Sequence, residues 1–213
     1  MAASASPRLP LSRERILRAG VELADAEGLE GVSMRKVAKR LGVEAMSLYR
    51  HVADKDDLLD GMVDEVLADI PGAPLGGDWR DRLGALVRGA HRVLVAHPWA
   101  PALATSRPAV GPARLRFVDG VLGILLSAGC SPQLAHDTLH AVEVHVFAFT
   151  LQELRLRSTT GGYELDHLPA GAESYPHLAA TLAEAQHDHV AEFEFVLELL
   201  MVGIERAIRA TSG

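Results

Sequence analysis

The twenty residues Ser33–Val52, SMRKVAKRLGVEAMSLYRHV, hold two short amphipathic segments that meet at a single glycine. In the first, Met34, Val37, Ala38 and Leu41 recur at helical spacing and give one apolar face. Ser33 precedes it as an N-cap, accepting from backbone N–H groups that a first turn leaves free. Gly42 follows Leu41, where a chain leaving a helix often needs positive φ, and Val43 plugs the turn. The pattern predicts a second helix from Glu44 to about His51, with Leu48 and Val52 inward and the small Ala38 at the crossing. This is the pattern of a helix-turn-helix, whose second helix enters a DNA major groove.

The polar residues agree with that geometry. With Leu48 and Val52 buried, Ser47, Tyr49, Arg50 and His51 remain on the surface, while Arg35, Lys36, Lys39 and Arg40 crowd the first helix where phosphates would lie. The net charge of −7 runs against a DNA-binding role until it is divided. Residues 1–52 carry nine Lys/Arg against six Asp/Glu, net +3, which leaves 12 against 22 beyond them, net −10. The basic excess sits with the helix-turn-helix. It is small, so useful affinity requires two copies acting together.

Outward from this stretch the chain reads as helix throughout: 213 residues, 5% aromatic, few β-branched runs, and abundant Ala, Leu, Glu and Arg. Cys130 alone cannot form an intramolecular disulfide and argues against a cysteine-based zinc site. No uncharged apolar run reaches about 18 residues, so no membrane span is expected. MAASASPRLP lacks the apolar core of a signal peptide, and the protein reads as cytoplasmic.

Residues 1–11 read as a disordered N-terminal arm, with Arg8 able to reach into a groove. A helix from Ser12 to Glu27 buries Ile16, Ala19, Leu23 and Ala24 and stops at Gly28. Asp54 caps a further helix, with Asp56 and Asp57 favourable to its dipole, Leu58, Leu59, Met62, Val66 and Leu67 inward, and Lys55 free to donate to a phosphate. PGAPLGG, residues 71–77, breaks the helical run and reads as a linker.

Residues 78–213 read as a second helical domain. Its helices are expected at about 78–97, 112–128 and 132–157, the last opening on the N-cap pair Ser131-Pro132. A Gly/Ser/Thr/Pro-rich loop, 158–176, precedes helices at about 177–186 and 188–210. Pro98 and Pro101 stop the first of these helices, and a short connector leads to Ser106-Arg107-Pro108.

Residues 12–70 resemble the DNA-binding domain of TetR-family transcriptional regulators. The likeness rests on LSRERILRAGVELADAEGLEGVSMRKVAKRLGVEAMSLYRHVADKDDLLDGM, and most specifically on G-V-x-x-x-x-L-Y-x-H-V followed by x-D-K-x-x-L-L. The resemblance implies an all-α fold: an N-terminal three-helix DNA-binding domain and a C-terminal helical domain for ligand binding and dimerisation. It implies a homodimer on a pseudo-palindromic double-stranded operator, with Arg35, Ser47, Tyr49, Arg50 and His51 touching bases or nearby phosphates and Lys55 a phosphate. Ala45 and Met46 open the second helix where the tetracycline repressors have a polar residue and a proline, so the operator should differ from theirs.

The C-terminal domain is more weakly similar to the tetracycline-repressor branch, through Trp79, S-R-P at 106–108, A-V-x-V-H at 141–145, Glu153 and the late loop. That resemblance places a small-molecule pocket among Leu86, Ala90, Trp99, Leu103, Phe117, Val121, Phe147, Thr150 and Glu153. Histidines expected of a tetracycline–magnesium site fall on apolar Ile70 or Pro71 and on Leu103 or Ala104, so a hydrophobic or aromatic effector fits better. Val190, Phe193, Leu197, Leu200 and Ile204 form a stripe on the last helix that the resemblance assigns to a four-helix dimer bundle.

Catalysis and cofactors find no support: there is no G-x-S-x-G, no glycine-rich phosphate loop and no identifiable Cys–His pair. The reading is a repressor released by its ligand. Within that class, a ligand-blind regulator or an activator is the alternative. From another class, His136, His140 and Glu143 share one helix face and suggest a metal-dependent helical enzyme, though no second cluster at matching spacing completes a metal site. His187 and His189 read as solvated, and His91, His97 and His145 as capping, packing or pocket-lining groups.

Overall fold

The computed structural model describes residues 10–107, 110–158, 174–185 and 188–211. Most of the expected arm 1–11, with Arg8, most of the loop 158–176, and His187 lie outside the described residues. No strand occurs among the described residues, and the order of elements is helical from end to end.

Helix α1 (Arg13–Glu27) starts where Ser12 accepts from Arg15 N and ends at Gly28, whose φ of 74° requires glycine. A single 3-10 turn (Leu29–Gly31) leads to α2 (Met34–Leu41) and α3 (Ala45–Leu48), and α4 (Lys55–Ala68) follows, capped by the Asp54 carboxylate on Asp57 N. Ile16, Val37, Leu48, Leu58 and Met62 are fully buried at the centre of these four helices. Helices α1 and α4 cross closely because Gly20 and Gly61 carry no side chain. A Cβ on Gly20 would stand 2.7 Å from Met62 Sδ, and one on Gly61 2.5 Å from a Leu17 methyl.

Beyond residues 70–78, α5 (Trp79–Ala96) is capped by Asp78, and Leu83, Leu86, Val87, Ala90 and Leu94 are buried as the spacing predicts. The expected connector after it is helical. In α6 (Ala100–Ser106) Pro101 opens a helix instead of only ending one, since a first-turn proline forfeits no hydrogen bond. Helix α7 (Pro112–Ser127) ends before Gly129, at φ 97°.

The expected unbroken helix 132–157 is interrupted. Helix α8 (Pro132–Glu143) passes into a π-turn (Val144–Ala148) and then α9 (Phe149–Ser158). One extra residue in the turn carries His145, Val146 and Phe147 inward, and the Val146 carbonyl accepts both the Phe149 N–H and, at 2.6 Å, the Thr150 hydroxyl. Helices α10 (Pro176–Glu184) and α11 (His189–Thr211) complete the chain.

Candidate nucleic-acid interface and effector core

The α2–α3 turn is built as its sequence demands. Ser33 Oγ accepts from Lys36 N, Gly42 adopts the left-handed conformation (φ 68°, ψ 34°), and Val43 N donates to Ala38 O at 3.0 Å. Helix α3 is shorter than the expected Glu44–His51. Regular helix ends at Leu48, and Tyr49–His51 continue as turns in which His51 N and Val52 N both donate to Leu48 O. Arg13 of α1 clamps this exit, donating to His51 O at 2.9 Å and gripping Asp57 with both guanidinium nitrogens. Asp57 also accepts from Ala53 N, and the Arg13 hydrogen bond holds its carboxyl below the usual range.

Tyr49, Arg50 and Lys55 are exposed beside one another along the chain, and Ser47 and His51 are half-buried. Arg35 and Lys39, four apart on α2, are exposed and have no ion-pair partner among the described residues. Lys36 and Arg40 depart from the expectation: Glu27 and Glu22 of α1 engage them at 2.7 and 2.6 Å.

The expected pocket residues are brought together only in part. Leu86, Ala90, Phe117, Val121, Phe147, Thr150 and Glu153 are buried in one core, with Leu103 half-buried at its edge. Phe117 meets Phe147 edge-on, and Arg114 lies over the Phe147 ring. Trp99 is buried in the same hydrophobic cluster, with its polar edge turned away from the other pocket residues. It faces α1, where its indole N–H donates to Asp25 at 2.7 Å beside His97 Nδ1 at 2.9 Å from the same oxygen. Glu153 is 1% exposed and already engaged, 2.7 Å from His91 Nε2 and paired with Arg157. A cavity of about 100 Å³ opens nearby, between the end of α4, residues 70–73, α5 and α7. Of the expected residues only Leu86 and Phe117 line it, joined by Leu67, Ile70, Ala113 and Arg116.

Three polar joints connect α1 and α4 to this core. The first is Asp25 with His97 and Trp99. In the second, Arg107 at the end of α6 binds Asp60 and Asp56 of α4. In the third, Asp64 of α4 accepts from Ala113 N at 2.8 Å and Arg114 N at 3.3 Å, capping α7 from outside. Gly111 makes that cap possible, because any side chain there would collide with the Asp64 carboxylate. Arg114 continues the path to Ala104 O and to Glu143 of α8.

The same contact undoes the metal constellation. His136 and His140 are exposed with rings 4.9 Å apart, but Glu143 is turned to Arg114. No group of three metal-ligating side chains is assembled among the described residues. Of the expected interface stripe, Phe193, Leu197 and Ile204 are buried within the chain's own core, Leu200 is half-buried, and Val190 is exposed. The exposed apolar residues of α11 are Val190, Phe195 and Leu199, with Val144 exposed on the neighbouring π-turn.

The fold and its parts have clear counterparts. Residues 16–62 match the family model described as bacterial regulatory proteins, tetR family, and residues 71–208 match the one described as tetracyclin repressor-like, C-terminal domain. The chain belongs to the TetR family. It is 42% identical to the HTH-type transcriptional repressor DrrR1 of Streptomyces coeruleorubidus, over 99% of this chain and 83% of that protein. It is 35% identical to an HTH-type transcriptional regulator of Saccharopolyspora erythraea, over 95% and 86% respectively. The crystal structure of the Streptomyces coelicolor TetR family protein ActR in complex with actinorhodin superposes with a TM-score of 0.78 at 30% identity, covering 94% of this chain and 99% of that one. As a TetR-family member the protein is a DNA-binding transcriptional regulator and not an enzyme. No helix among the described residues is long and apolar enough to cross a membrane.

Proposed function

We propose that the protein is a homodimeric, cytoplasmic repressor that leaves a pseudo-palindromic operator when a hydrophobic or aromatic small molecule enters its C-terminal domain. Residues 12–70 form the DNA-reading unit, 71–77 the linker, and 78–213 the effector and dimerisation unit. The observation that carries the reading is the α2–α3 turn, which leaves Arg35, Tyr49, Arg50 and Lys55 exposed on a unit packed rigidly from behind. Ser47 and His51 complete the contact set: side chains after the turn read base edges, and the cations and Lys55 hold phosphates.

The effector half of the proposal is supported by the neighbour ActR, whose structure holds actinorhodin, and the repressor sense by the name of DrrR1. The apolar cavity beside Leu86 and Phe117 gives such a molecule a point of entry. Dimerisation is assigned to the exposed residues Phe195 and Leu199 of α11, with Val144, instead of the buried Phe193, Leu197 and Ile204. A ligand then acts through unequal affinity for two spacings of the paired α3 segments, which must span one helical turn of DNA.

The first test is a salt titration of binding to the DNA immediately upstream of the protein's own gene. Specific binding with a steep negative slope of log affinity on log salt is expected for a phosphate-anchored dimer. Purified protein that binds no DNA specifically, even from a randomised pool at low salt, would overturn the reading.

A further inference from the structure

The cavity of about 100 Å³ beside Leu86 and Phe117 is shaped by α7. Ala113, Phe117 and Gly120 recur at helical spacing on the face that lines it, and two of the three are small. Gly120 differs from Gly20, Gly61 and Gly111, where a side chain would collide with a neighbour. A Cβ on Gly120 would stand 3.4 Å from a Leu86 methyl, an ordinary contact, so its missing side chain leaves usable space.

The side chains on the walls are apolar with one exception. Arg116 is the only lining residue whose side chain is charged or polar. It is exposed and has no hydrogen-bond or ion-pair partner among the described residues, whereas Arg107 and Arg114 nearby are engaged by Asp60 and Glu143. No carboxylate lines the cavity to compete for its charge or to repel an anion.

These features select the two ends of one molecule. Apolar walls favour a ring or a short branched chain over a sugar or a nucleotide. The guanidinium presents paired N–H donors that match a carboxylate, and it disfavours a cation. At a water-exposed rim such a pair adds only a few-fold in affinity, so the walls hold the ligand and Arg116 selects the anion. The volume limits the enclosed part to about one ring, since an apolar cavity of roughly 150 Å³ takes up benzene.

We propose that this cavity binds a small apolar carboxylate, its ring or branched chain between Leu86 and Phe117 and its carboxylate on the Arg116 guanidinium. The inference rests on the effector reading above and narrows the effector to an organic anion. Leu67 on the cavity wall belongs to α4, which packs on α1 through Gly20 and Gly61. A ligand here therefore touches the DNA-binding helices as well as α5 and α7.

The test uses the full chain with two probes of one shape, benzoate and the neutral benzamide. Binding is followed by ligand-observed nuclear magnetic resonance, and release by loss of an operator fragment selected from a randomised pool. Wild type should bind benzoate about fivefold more tightly than benzamide. Arg116→Gln should bind the two alike, and Arg116→Lys should keep part of the preference. Gly120→Leu, which fills the space, should lose both probes. If Gly120→Leu does not fold, Gly120→Ala replaces it and should weaken both.

Wild-type protein that binds neither probe, or binds them equally, would overturn the site. A benzoate preference that survives Arg116→Gln, or full binding by a folded cavity-filling variant, would do the same. The two readings fail separately. Binding that follows Arg116 without operator release keeps the site and sinks the effector role. Release by both probes that ignores Arg116 does the reverse.

Discussion

At the DNA face single side chains carry separable duties. Tyr49 and Arg50 are exposed, and neither side chain makes a hydrogen bond or ion pair among the described residues, so their removal should affect DNA and little else. Tyr49→Ala and Arg50→Ala are each expected to weaken operator binding by about 1–3 kcal/mol, that is, about 5- to 150-fold, with the oligomeric state unchanged. Electrophoretic shift at fixed salt, alongside sedimentation, measures both, and full affinity in either variant would remove that residue from the interface. His145 makes a different prediction, about stability. Above its ordinary value of 6.5 the ring is neutral in folded and unfolded chains and contributes nothing. As pH falls, the unfolded chain takes up a proton that the folded chain refuses until about 4, so stability is lost across that window. At pH 5 the loss is about 2 kcal/mol. Chemical denaturation at pH 7 and 5 should therefore show a smaller pH penalty for His145→Phe than for wild type, and equal penalties would contradict the burial argument.

At the level of elements, what the sequence announced and what it hid follow from the range of the interactions. Caps and stops are local, so Ser12, Ser33, Gly42, Asp54, Asp78 and Ser131 could be read directly, and the structure uses each one. The joints are not local. Asp25 meets Trp99 across 74 positions, and Arg107 meets Asp60 across 47, so no spacing rule announces them. Lys36 and Arg40 misled for the same reason: their carboxylate partners sit on a packed neighbour, α1. The π-turn was invisible because Val144-His145-Val146-Phe147 satisfies helical periodicity well enough. These joints make α6 a strut, pinned near one end to α1 through Asp25 and at the other to α4 through Arg107. Arg107→Ala should leave the affinity of free protein for its effector unchanged while raising the effector concentration for half-release of DNA about 5- to 10-fold. Parallel binding and release titrations measure the two quantities, and an unchanged release midpoint would show that α6 does not transmit through this joint. Gly111→Ala, which drives a methyl into the Asp64 carboxylate, should cost about 1–3 kcal/mol in thermal unfolding.

For the whole molecule, the modest basic excess of the first 52 residues favours the proposed dimer, in which two copies bind at once. Each copy must then expose an apolar face that its own core does not use. The last helix meets that demand with two faces. Phe193, Leu197, Met201 and Ile204 are buried inward, while Phe195 and Leu199 on the other side face solvent in the protomer. Periodicity alone marks both as apolar and cannot say which is inward, because a helix that is packed on both sides shows no polar face. Ion pairs from α5 sharpen the distinction: Arg88 holds Glu194 and Arg80 holds Glu198, so the edge of α11 bearing these acids is fixed to its own chain. Leu199, 55% exposed, is thus the residue at which a substitution tests the proposed interface without disturbing the core. Leu199→Glu should leave the helical content and the urea midpoint of the monomer intact while shifting the protein to monomers at micromolar concentration. Operator affinity should fall about 100-fold or more, because the second half-site is no longer held at high effective concentration. Sedimentation and DNA binding on the same samples test the two effects together. A Leu199→Glu protein that stays dimeric and binds DNA normally would move the interface to another face of the protomer.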